Sequence, residues 1–403
     1  MIFQLKGKFQ HYPWGGRYFI PHFLKLTEVV DQPYAEYWLG AHPAASATIK
    51  FGEQWLPLAD VIKQAPELLG ERSRQQFGDN LPYLLKILDI KQPLSIQLHP
   101  NKAQAEYGFN QENRQGIPLE DVRRIYKDRN HKPEMMIALS DFWLLHGFKS
   151  ITAIQACLAK YPSTSALAKS LVEKSLAVVY AEIMHADQTQ LASWLRPIIE
   201  QRRADYLADK LKLSDPDYWL LYMTDDLAAD APLDAGLMCF YLFNIVHLKK
   251  GEGIYQAANL PHAYLRGQSI ELMANSDNVI RGGLTTKWVD IPALLQAVDY
   301  RPVRPQIIAA YRDDKTVDQN FYLYPTPQAK DFALQRLTIR QLVENRFVTD
   351  SASMLLVMKG SLYIDLGNTS FHLNQGDAVF ISADSHVELI GENDGYAIIA
   401  SLP

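Results

Sequence analysis

Apolar and polar positions along this chain follow two different periods, and the change of period divides the sequence into three parts. From residue 1 to about 145, and again from 243 to 265, short β-rich runs are broken by Gly, Pro and Asn. Between about 150 and 240, apolar residues recur at three- to four-residue spacing with Lys and Glu between them. The pattern predicts a β-rich region that is interrupted by a helical insertion.

The helical period is clearest in the insertion, at residues 151–161, 166–184 and 190–211. A Pro-Ser-Thr-Ser run at 162–165 is a helix-start signal, because Ser and Thr side chains accept hydrogen bonds from free backbone N–H groups. A shorter helical pattern, LADVIKQAPELLG at 58–70, lies within the first β region. We expect amphipathic helices at these places, each with one face on a core.

The C-terminal part of the chain reads as a series of short strands joined by Gly, Asn and Asp turns, which is typical of a sandwich or jelly roll. Its stretch LNQGDAVFISADSHVEL resembles LKKGEGIYQAANLPHAYL of the central β region, since both read Gly-acidic, apolar strand, small loop, then His. This likeness suggests two related β-barrels. The expected fold class is mainly β with a helical insertion, or α+β.

Composition excludes several classes of protein. Of the 403 residues 48% are hydrophobic and 21% charged, and a net charge of −5 without a basic run argues against nucleic acid as a partner. No apolar stretch reaches the roughly 18 residues that span a bilayer, and the start lacks a secretion signal. Two distant cysteines, Cys157 and Cys239, provide neither a disulfide scaffold nor a thiolate zinc site. We expect a cytoplasmic protein with no membrane partner.

Polar side chains in apolar surroundings mark the candidate chemistry. In SIQLHP, at 95–100, Gln97 and His99 are two residues apart, so an extended chain directs both to one face. By itself this pattern also fits a half-buried strand with a solvated face. Burying ionisable groups is unfavourable unless they meet partners. Three further clusters combine such groups with turn residues: NHKPEM at 130–135, PHAYL at 261–265 and ELMANSDNVIRGGLTTKW at 271–288.

These clusters resemble the motifs of the type I phosphomannose isomerases, zinc-dependent cupins that interconvert mannose 6-phosphate and fructose 6-phosphate. The resemblance follows the family's order over residues 1 to about 310, and the C-terminal part matches only in general style. The matching stretches are YPWGG (12–16), AEYWLGAHP (35–43), LSIQLHPNKAQAEYGF (94–109), YKDRNHKPEMMIAL (126–139) and NLPHAYLRGQSIELMANSDNVIRGGLTTKWVD (259–290).

The resemblance implies a division into three domains. Residues 1–150 and 243–310 are expected to form a discontinuous, zinc-binding catalytic domain with a cupin-type jelly roll. Residues 151–242 form the helical domain, and residues 311–403 form a C-terminal cupin-like β-barrel. In that barrel His372 and His386 lack an accompanying acid or second ligand strand, so we expect it to hold no metal.

The resemblance also implies one Zn²⁺ per chain, and its ligands carry over residue by residue to Gln97, His99, Glu134 and His262. Two imidazoles, one carboxylate and one amide oxygen make a nitrogen and oxygen site that suits a borderline ion. A zinc site without four thiolate ligands is not expected to be purely structural. A coordination position remains open on the ion for water or a sugar oxygen.

Isomerisation moves a proton between adjacent carbons of an open-chain sugar phosphate through a cis-enediol. By resemblance Lys132 and Asp277 are the acid/base pair, His131 helps to open the ring, and Glu271 orients them. The resemblance also places Arg281 near the sugar as a candidate catalytic residue, with its role as catalyst or phosphate ligand left open. A structural role for Asp277, with its side chain bonded to its own loop, remains open.

The phosphate requires cations, since the chain has no Walker-type glycine loop. The resemblance implies that Arg281 and Lys287, which flank the GGLTT turn, are these cations, where Arg offers a bidentate fork and Lys a point charge. Many family members have a proline where this chain has Thr286, so the loop lacks one stiffening residue. Ser95 shares a strand face with Gln97 and is expected to contact substrate.

Two other functions remain open: a metal-dependent cupin oxygenase with a redox metal, and a phosphosugar-binding cupin without activity. The phosphate cations count against the first, and the intact ligand set with Lys132 counts against the second. Trp14 and His42 lie in matching motifs, and we interpret both as support for the barrel. The function that the resemblance implies, isomerisation of a small phosphosugar by a monomeric enzyme, is the one we favour.

Overall fold

Two large antiparallel sheets and a group of helices make up this chain. The computed structural model describes residues 1–312, 320–326, 328–365, 367 and 370–403. Part of the predicted C-terminal domain, including 313–319, therefore lies outside the described residues. The predicted fold class, mainly β with a helical insertion, is confirmed.

The strands are short, as the β-rich runs predict, except for three long ones that lie inside the sheets. In chain order they are β1 (Ile2–Lys6), β2 (Lys8–Gln10), β3 (Glu36–Leu39), β4 (Thr48–Phe51), β5 (Gln54–Pro57), β6 (Tyr83–Ile90), β7 (Gln97–Leu98), β8 (Glu134–Ala138), β9 (Phe142–Phe148), β10 (Phe243–Leu248), β11 (Glu252–Gln256), β12 (His262–Ala274), β13 (Ile280–Arg281), β14 (Ile308–Ala309), β15 (Phe321–Tyr324), β16 (Ala333–Ile339), β17 (Glu344–Thr349), β18 (Ser353–Asp365), β19 (Ser370–Asn374), β20 (Ala378–Ile381) and β21 (Ser385–Ser401).

Most of the helical residues lie between β9 and β10, where the three- to four-residue period predicts them. The α-helices are α1 (Phe19–Phe23), α2 (Leu58–Gln64), α3 (Glu71–Phe77), α4 (Lys102–Arg114), α5 (Ile151–Ala159), α6 (Ser165–Glu173), α7 (Leu176–Met184), α8 (Gln188–Leu207), α9 (Pro216–Thr224), α10 (Cys239–Leu242) and α11 (Ile291–Ala297). Short 3₁₀ helices lie at Pro66–Leu69, Pro162–Thr164 and Ala235–Met238.

Two details of the helices differ from the sequence pattern. The stretch 166–184 is divided into two helices, because the Ser175 side chain accepts from the backbone N–H of Val178 and starts α7 there. Thr164 does not cap α6, since its hydroxyl donates to the carbonyl oxygen of Leu158 instead.

No helix in the described part of the chain combines the length and apolar character that a membrane crossing needs.

The central sheet is built around the long strand β12. Its strand order is β14-β11-β8-β12-β6-β3-β2, and β12 also pairs with β9 and β7, which continue to β10 and β13. The start of β12 lies beside β7, where His262 is opposite Gln97, and its end lies between β6 and β8. Segments that are far apart in sequence therefore meet along one strand.

The terminal sheet joins the two ends of the chain. Its order is β15-β16-β21-β18-β20-β1-β4-β5, so the first strand pairs with β20, with Ile2 opposite Ile381. The N-terminal amine donates to the hydroxyls of Ser382 and Ser385 at 2.6 and 2.9 Å. Strands β1, β4 and β5 thus lie in the same sheet as the C-terminal strands. The domain boundaries expected from the sequence stay a prediction.

Apolar packing connects these parts. One buried cluster combines Leu85 and Ile270 of the central sheet with Phe3, Phe332 and Phe380 of the terminal sheet and its connections. A second cluster packs the insertion helices, through residues such as Val179, Leu195 and Trp219, under Ile96 and Leu98. The segment that carries Gln97 and His99 therefore rests on the helical insertion.

Candidate metal centre and active site

His99, Glu134 and His262 form a buried cluster whose ligand atoms all lie within 4.8 Å of one another. The Nε2 atom of His99 is 3.1 Å from Glu134 Oε1, and the Nε2 atom of His262 is 3.5 Å from Glu134 Oε2. Histidine and carboxylate side chains in this arrangement are what a divalent metal binds. It is the one such cluster found among the described residues.

Hydrogen bonds fix the tautomers of both histidines. The Nδ1 atom of His99 lies 3.0 Å from the carbonyl oxygen of Asn278, and that of His262 lies 2.8 Å from the carbonyl oxygen of Leu260. A carbonyl only accepts, so both Nδ1 atoms carry hydrogen and both Nε2 atoms present lone pairs to the cluster centre. Nε2 of His99 is buried and has no hydrogen-bond partner in the described part of the chain.

This arrangement of acceptors fits a cation. Burial, with the Lys132 charge, lowers the pKa of His99 to about 4, so its ring is neutral at neutral pH. Burial disfavours ionisation of Glu134, yet Lys132, whose Nζ is 3.1 Å away, and the two histidines bring the pKa of Glu134 well below its usual range. A carboxylate and two imidazole lone pairs therefore converge, as metal ligation requires.

Gln97, the fourth predicted ligand, stands next to this cluster on β7. It is opposite His262 on one side and Arg281 of β13 on the other. Its amide nitrogen donates to the hydroxyl of Ser95 at 3.3 Å, which leaves the amide oxygen as the atom suited to a metal. The donor set of two nitrogens and two kinds of oxygen suits zinc.

Some of the predicted site residues line one small cavity of about 70 Å³. This cavity brings together most of the predicted ligands with candidate catalytic and substrate-binding side chains: Ser95, Gln97, Lys132, Glu134, His262 and Glu271. His131, Asp277, Arg281 and Lys287 are absent from its lining in the described structure. The predicted site residues are thus divided between this cavity and positions outside its lining, and their common site stays a prediction.

Three further polar residues in the same lining were missed by sequence reasoning: Glu36, Lys86 and Tyr264. The Nζ atom of Lys86 is 2.9 Å from Glu271 Oε2 and 3.7 Å from Glu36 Oε2, and all three side chains are buried. Strands β3, β6 and β12 are neighbours, and Lys86 is opposite Glu271 in register. The missed signal was a lysine inside the otherwise mostly apolar strand YLLKILDI.

The charges in this group stabilise one another. Burial favours the neutral amine of Lys86, but Glu271 and Glu36 outweigh it and raise the pKa of Lys86. Burial raises the pKa of Glu271 despite the nearby Lys86 charge. Glu271 therefore pairs with the Lys86 cation, and its role in orienting Lys132 and Asp277 stays a prediction.

The ring of His131 is directed to the C-terminal part of the chain. Its Nε2 atom lies 2.7 Å from the Oδ2 atom of Asp331, a buried residue that shortly precedes β16 in the chain. Lys132, the next residue, instead contacts Glu134. The role of His131 in ring opening stays a prediction, and Asp331 is a partner that the motif alone did not indicate.

Asp277 does not use its carboxylate to bond its own loop. Its Oδ1 atom lies 3.2 Å from Nε2 of His42, and its backbone N–H donates to Asp128 at 2.8 Å. Burial raises the pKa of Asp277, but the hydrogen bond from His42 and the charges of His42, Lys132 and Lys86 outweigh it and lower the pKa below its usual value. The local-loop interpretation is therefore wrong for the side chain.

The predicted phosphate cations lie at the edge of the site. Arg281 is on β13 beside Gln97, and burial lowers the pKa of its guanidinium. Burial, followed by the Arg281 charge, lowers the pKa of Lys287, which indicates that the two cations are near each other. No carboxylate of the described residues lies within 4.0 Å of either cation. Both are therefore available to an anion.

The known proteins that this chain resembles belong to one family. A sequence model of the catalytic domain of type I phosphomannose isomerase matches residues 2–151. The chain is 32% identical to the mannose-6-phosphate isomerase of Escherichia coli (strain K12) over 390 residues, which is 94% of this chain and 95% of that protein. It is 31% identical to the mannose-6-phosphate isomerase of Homo sapiens over 424 residues, covering 96% and 95%.

A solved structure matches the whole fold. The crystal structure of mannose 6-phosphate isomerase from Salmonella typhimurium, bound to its substrate fructose 6-phosphate and to zinc, superposes with a TM-score of 0.87 at 30% identity. The match covers 100% of this chain and 99% of that one. The similarity therefore includes the helical insertion and the terminal sheet as well as the matched motifs.

Proposed function

Because this chain belongs to the mannose-6-phosphate isomerase family, it is a zinc-dependent isomerase of mannose 6-phosphate and fructose 6-phosphate, and we propose that the pocket described above is its active site. The observation that carries this proposal is the buried convergence of His99, Glu134 and His262. Their acceptor atoms face one another without a hydrogen-bond donor at His99 Nε2 among the described residues, which fits a bound cation.

Gln97, His99, Glu134 and His262 would hold the zinc. When bound, zinc supplies Lewis-acid polarisation to the sugar oxygens. Asn278 and Leu260 keep the two imidazoles in the ligating tautomer through their carbonyl oxygens. Such outer contacts orient metal ligands and raise their basicity.

Lys132 and Asp277 are the proposed acid/base pair. The reaction removes a proton from the carbon next to the carbonyl and returns one to the neighbouring carbon, with a cis-enediol between the two steps. The lowered pKa keeps Asp277 ionised at neutral pH, which suits it to accept a proton. The Lys132 ammonium lines the pocket and offers a positive charge to the oxygen that becomes negative.

The remaining predicted residues have supporting roles. Glu271 is oriented by Lys86 and in turn sets the charge of the pocket wall, and His131 is proposed to assist ring opening. Arg281 and Lys287 are proposed to bind the phosphate, because neither has a carboxylate partner among the described residues. Ser95 lies in the pocket lining beside Gln97 and is proposed to contact the sugar.

We propose further that the enzyme is cytoplasmic and monomeric. Both cysteines, Cys157 and Cys239, are free in the structure, which fits a reducing compartment. The buried group of candidate metal ligands and the pocket beside it are formed within one chain, so the site needs no second copy.

Conversion of mannose 6-phosphate to fructose 6-phosphate, measured before and after chelation, tests the function. We expect turnover to be lost with the metal and restored by zinc, because the ligand set is of nitrogen and oxygen donors that suit zinc. Metal content is recorded in parallel, and ferrous iron is added back as the matched control for a redox site.

Two results would contradict the proposal. Absence of turnover in a folded, zinc-loaded sample would indicate a binding protein. Restoration by iron together with consumption of oxygen would indicate the oxygenase alternative.

A further inference from the structure

His42 is a buried histidine whose two ring nitrogens are both engaged. It follows β3 in the GAHP motif, is 1% exposed, and its ring contacts Trp38 edge-on at 4.9 Å. Its Nδ1 atom accepts from the backbone N–H of Ala44 at 3.2 Å. Because Nδ1 accepts, a ring hydrogen is on Nε2, which lies 3.2 Å from Asp277 Oδ1. The imidazole is therefore a donor to this carboxylate.

The direction of this contact decides which residue acts on substrate. A base must have a free lone pair, and the lone pair of His42 is already used by Ala44. The side chain of Asp277 is 52% exposed, whereas that of His42 is 1% exposed. Asp277 is thus the partner that is open to solvent, and His42 lies buried behind it.

The loop that carries Asp277 is also fixed to the metal centre. The Asp277 N–H donates to Asp128, and the next residue, Asn278, accepts the Nδ1 hydrogen of His99 through its carbonyl oxygen. The backbone of Asp277 is therefore held relative to a metal ligand. The direction of its carboxylate is left to His42, the one side chain within 4.0 Å that pairs with that carboxylate in the described structure.

Several charged groups act on the Asp277 carboxylate. Lys132 and Lys86 favour its ionised form, and Tyr12 lies close enough to feel its charge. His42 is the largest of the influences that oppose the effect of burial and lower the pKa of Asp277. Loss of the His42 donor is therefore expected to raise that pKa.

We propose that His42 is a positioning residue that fixes the direction of the Asp277 carboxylate for proton transfer. This inference rests on the proposed acid/base role of Asp277. It changes the sequence-based interpretation of His42, which was assigned only to support of the barrel. His42 does not touch the reacting atoms itself and acts through Asp277.

Two variants that differ by one methylene test this inference. The side-chain nitrogen of His42→Gln can reach the position of Nε2, whereas that of His42→Asn reaches only the position of Nδ1. We expect His42→Asn to lower kcat by about 10- to 100-fold, as for loss of a hydrogen bond to a charged group, with KM changed little. His42→Gln should restore most of this loss.

The pH profile separates positioning from packing. The Asp277 carboxylate becomes protonated as pH falls through its pKa. If His42→Asn raises the pKa of Asp277, the acidic limb of the kcat profile of this variant moves to higher pH. Zinc content and the urea midpoint are measured on both variants to show that they are folded. Equal kcat for the two variants, or an acidic limb at the wild-type position in His42→Asn, would overturn the inference.

Asp277→Asn distinguishes this inference from the proposed function. An inactive, zinc-loaded Asp277→Asn supports the acid/base role, and then a wild-type-like His42→Asn refutes only the role of His42. An active Asp277→Asn refutes the role of Asp277 and the inference with it. Wild-type turnover of mannose 6-phosphate remains the independent test of the function itself.

Discussion

At the scale of single residues, the pocket is shaped by buried charges that are matched to one another. Lys86 lies between Glu271 and Glu36, at 2.9 and 3.7 Å, on neighbouring strands of the central sheet. Removing charges from water is unfavourable by several kcal/mol per ion, and a close partner of opposite charge offsets much of this. These three side chains therefore give the pocket lining a group of buried, mutually paired charges.

Lys86→Met is predicted to destabilise the protein by about 3–5 kcal/mol, because it leaves two buried carboxylates without their cation. Without Lys86 the pKa of Glu271, already raised by burial, rises further. Stability that depends on a protonated carboxyl is present at low pH and lost as pH rises through its pKa. The deficit should therefore be smaller at mildly acidic pH than at neutral pH, as measured by urea unfolding.

The matched control for this prediction is the double variant Lys86→Met with Glu271→Gln, which removes one of the two unpaired carboxylates. It should recover part of the lost free energy of unfolding. A single variant as stable as the wild type at neutral pH would show that the three charges do not depend on one another.

At the scale of elements, the site depends on contacts between loops that are distant in sequence. The Asn278 side chain accepts from the backbone N–H groups of Lys127 and Asp128 and donates to the carbonyls of Asp128 and Asn130. Its own carbonyl holds His99. One buried asparagine thus joins the loop before β8 to the loop after β12 and to a metal ligand.

Asn278→Ala is predicted to weaken zinc binding by at least about tenfold, because the carbonyl that orients His99 is no longer fixed by the side chain. Four bonds to backbone groups are lost, so the free energy of unfolding should also fall by more than about 2 kcal/mol. Zinc affinity is measured by competition with a chelator. Asn275→Ala in the same loop is the control, since its amide reaches Leu81 only at 3.5 Å. Equal zinc affinity in both variants would refute this coupling.

Secondary-structure elements and metal ligands could be predicted from the sequence better than the side chains that contact the site residues. Alternation in SIQLHP predicted that Gln97 and His99 share a face, and the helical period located the insertion, because both depend on neighbours in sequence. The contacts of His42 with Asp277 and of His131 with Asp331 cross 235 and 200 residues. No local period encodes such pairs. The division of 166–184 into two helices was missed because Ser175 reads as one polar position of a continuous helix.

At the scale of the whole molecule, the two sheets share one core. Strand β1 pairs with β20, and Phe3 packs against Phe380 with ring centroids 6.4 Å apart. The hydroxyl of Tyr83, on the central sheet, donates to the carbonyls of Ala352 and Ala400. Because the Tyr83 bonds cross between the sheets, and both sheets contribute to one buried apolar cluster, we expect the metal centre and the terminal sheet to unfold together.

Phe380→Ala, a cavity-forming change in the terminal sheet, is predicted to shift zinc release to lower urea concentration. Phe380 is fully buried in the shared core, so its truncation should destabilise the protein by about 3–5 kcal/mol. If the core is cooperative, the midpoint of zinc release, followed with a chromogenic chelator, moves together with the midpoint of far-ultraviolet circular dichroism. Tyr363→Ala, at a side chain 46% exposed on the same sheet, should move neither midpoint by a comparable amount. Zinc release at the wild-type urea concentration in Phe380→Ala, with an earlier loss of β-structure, would show that the terminal sheet unfolds independently of the active site.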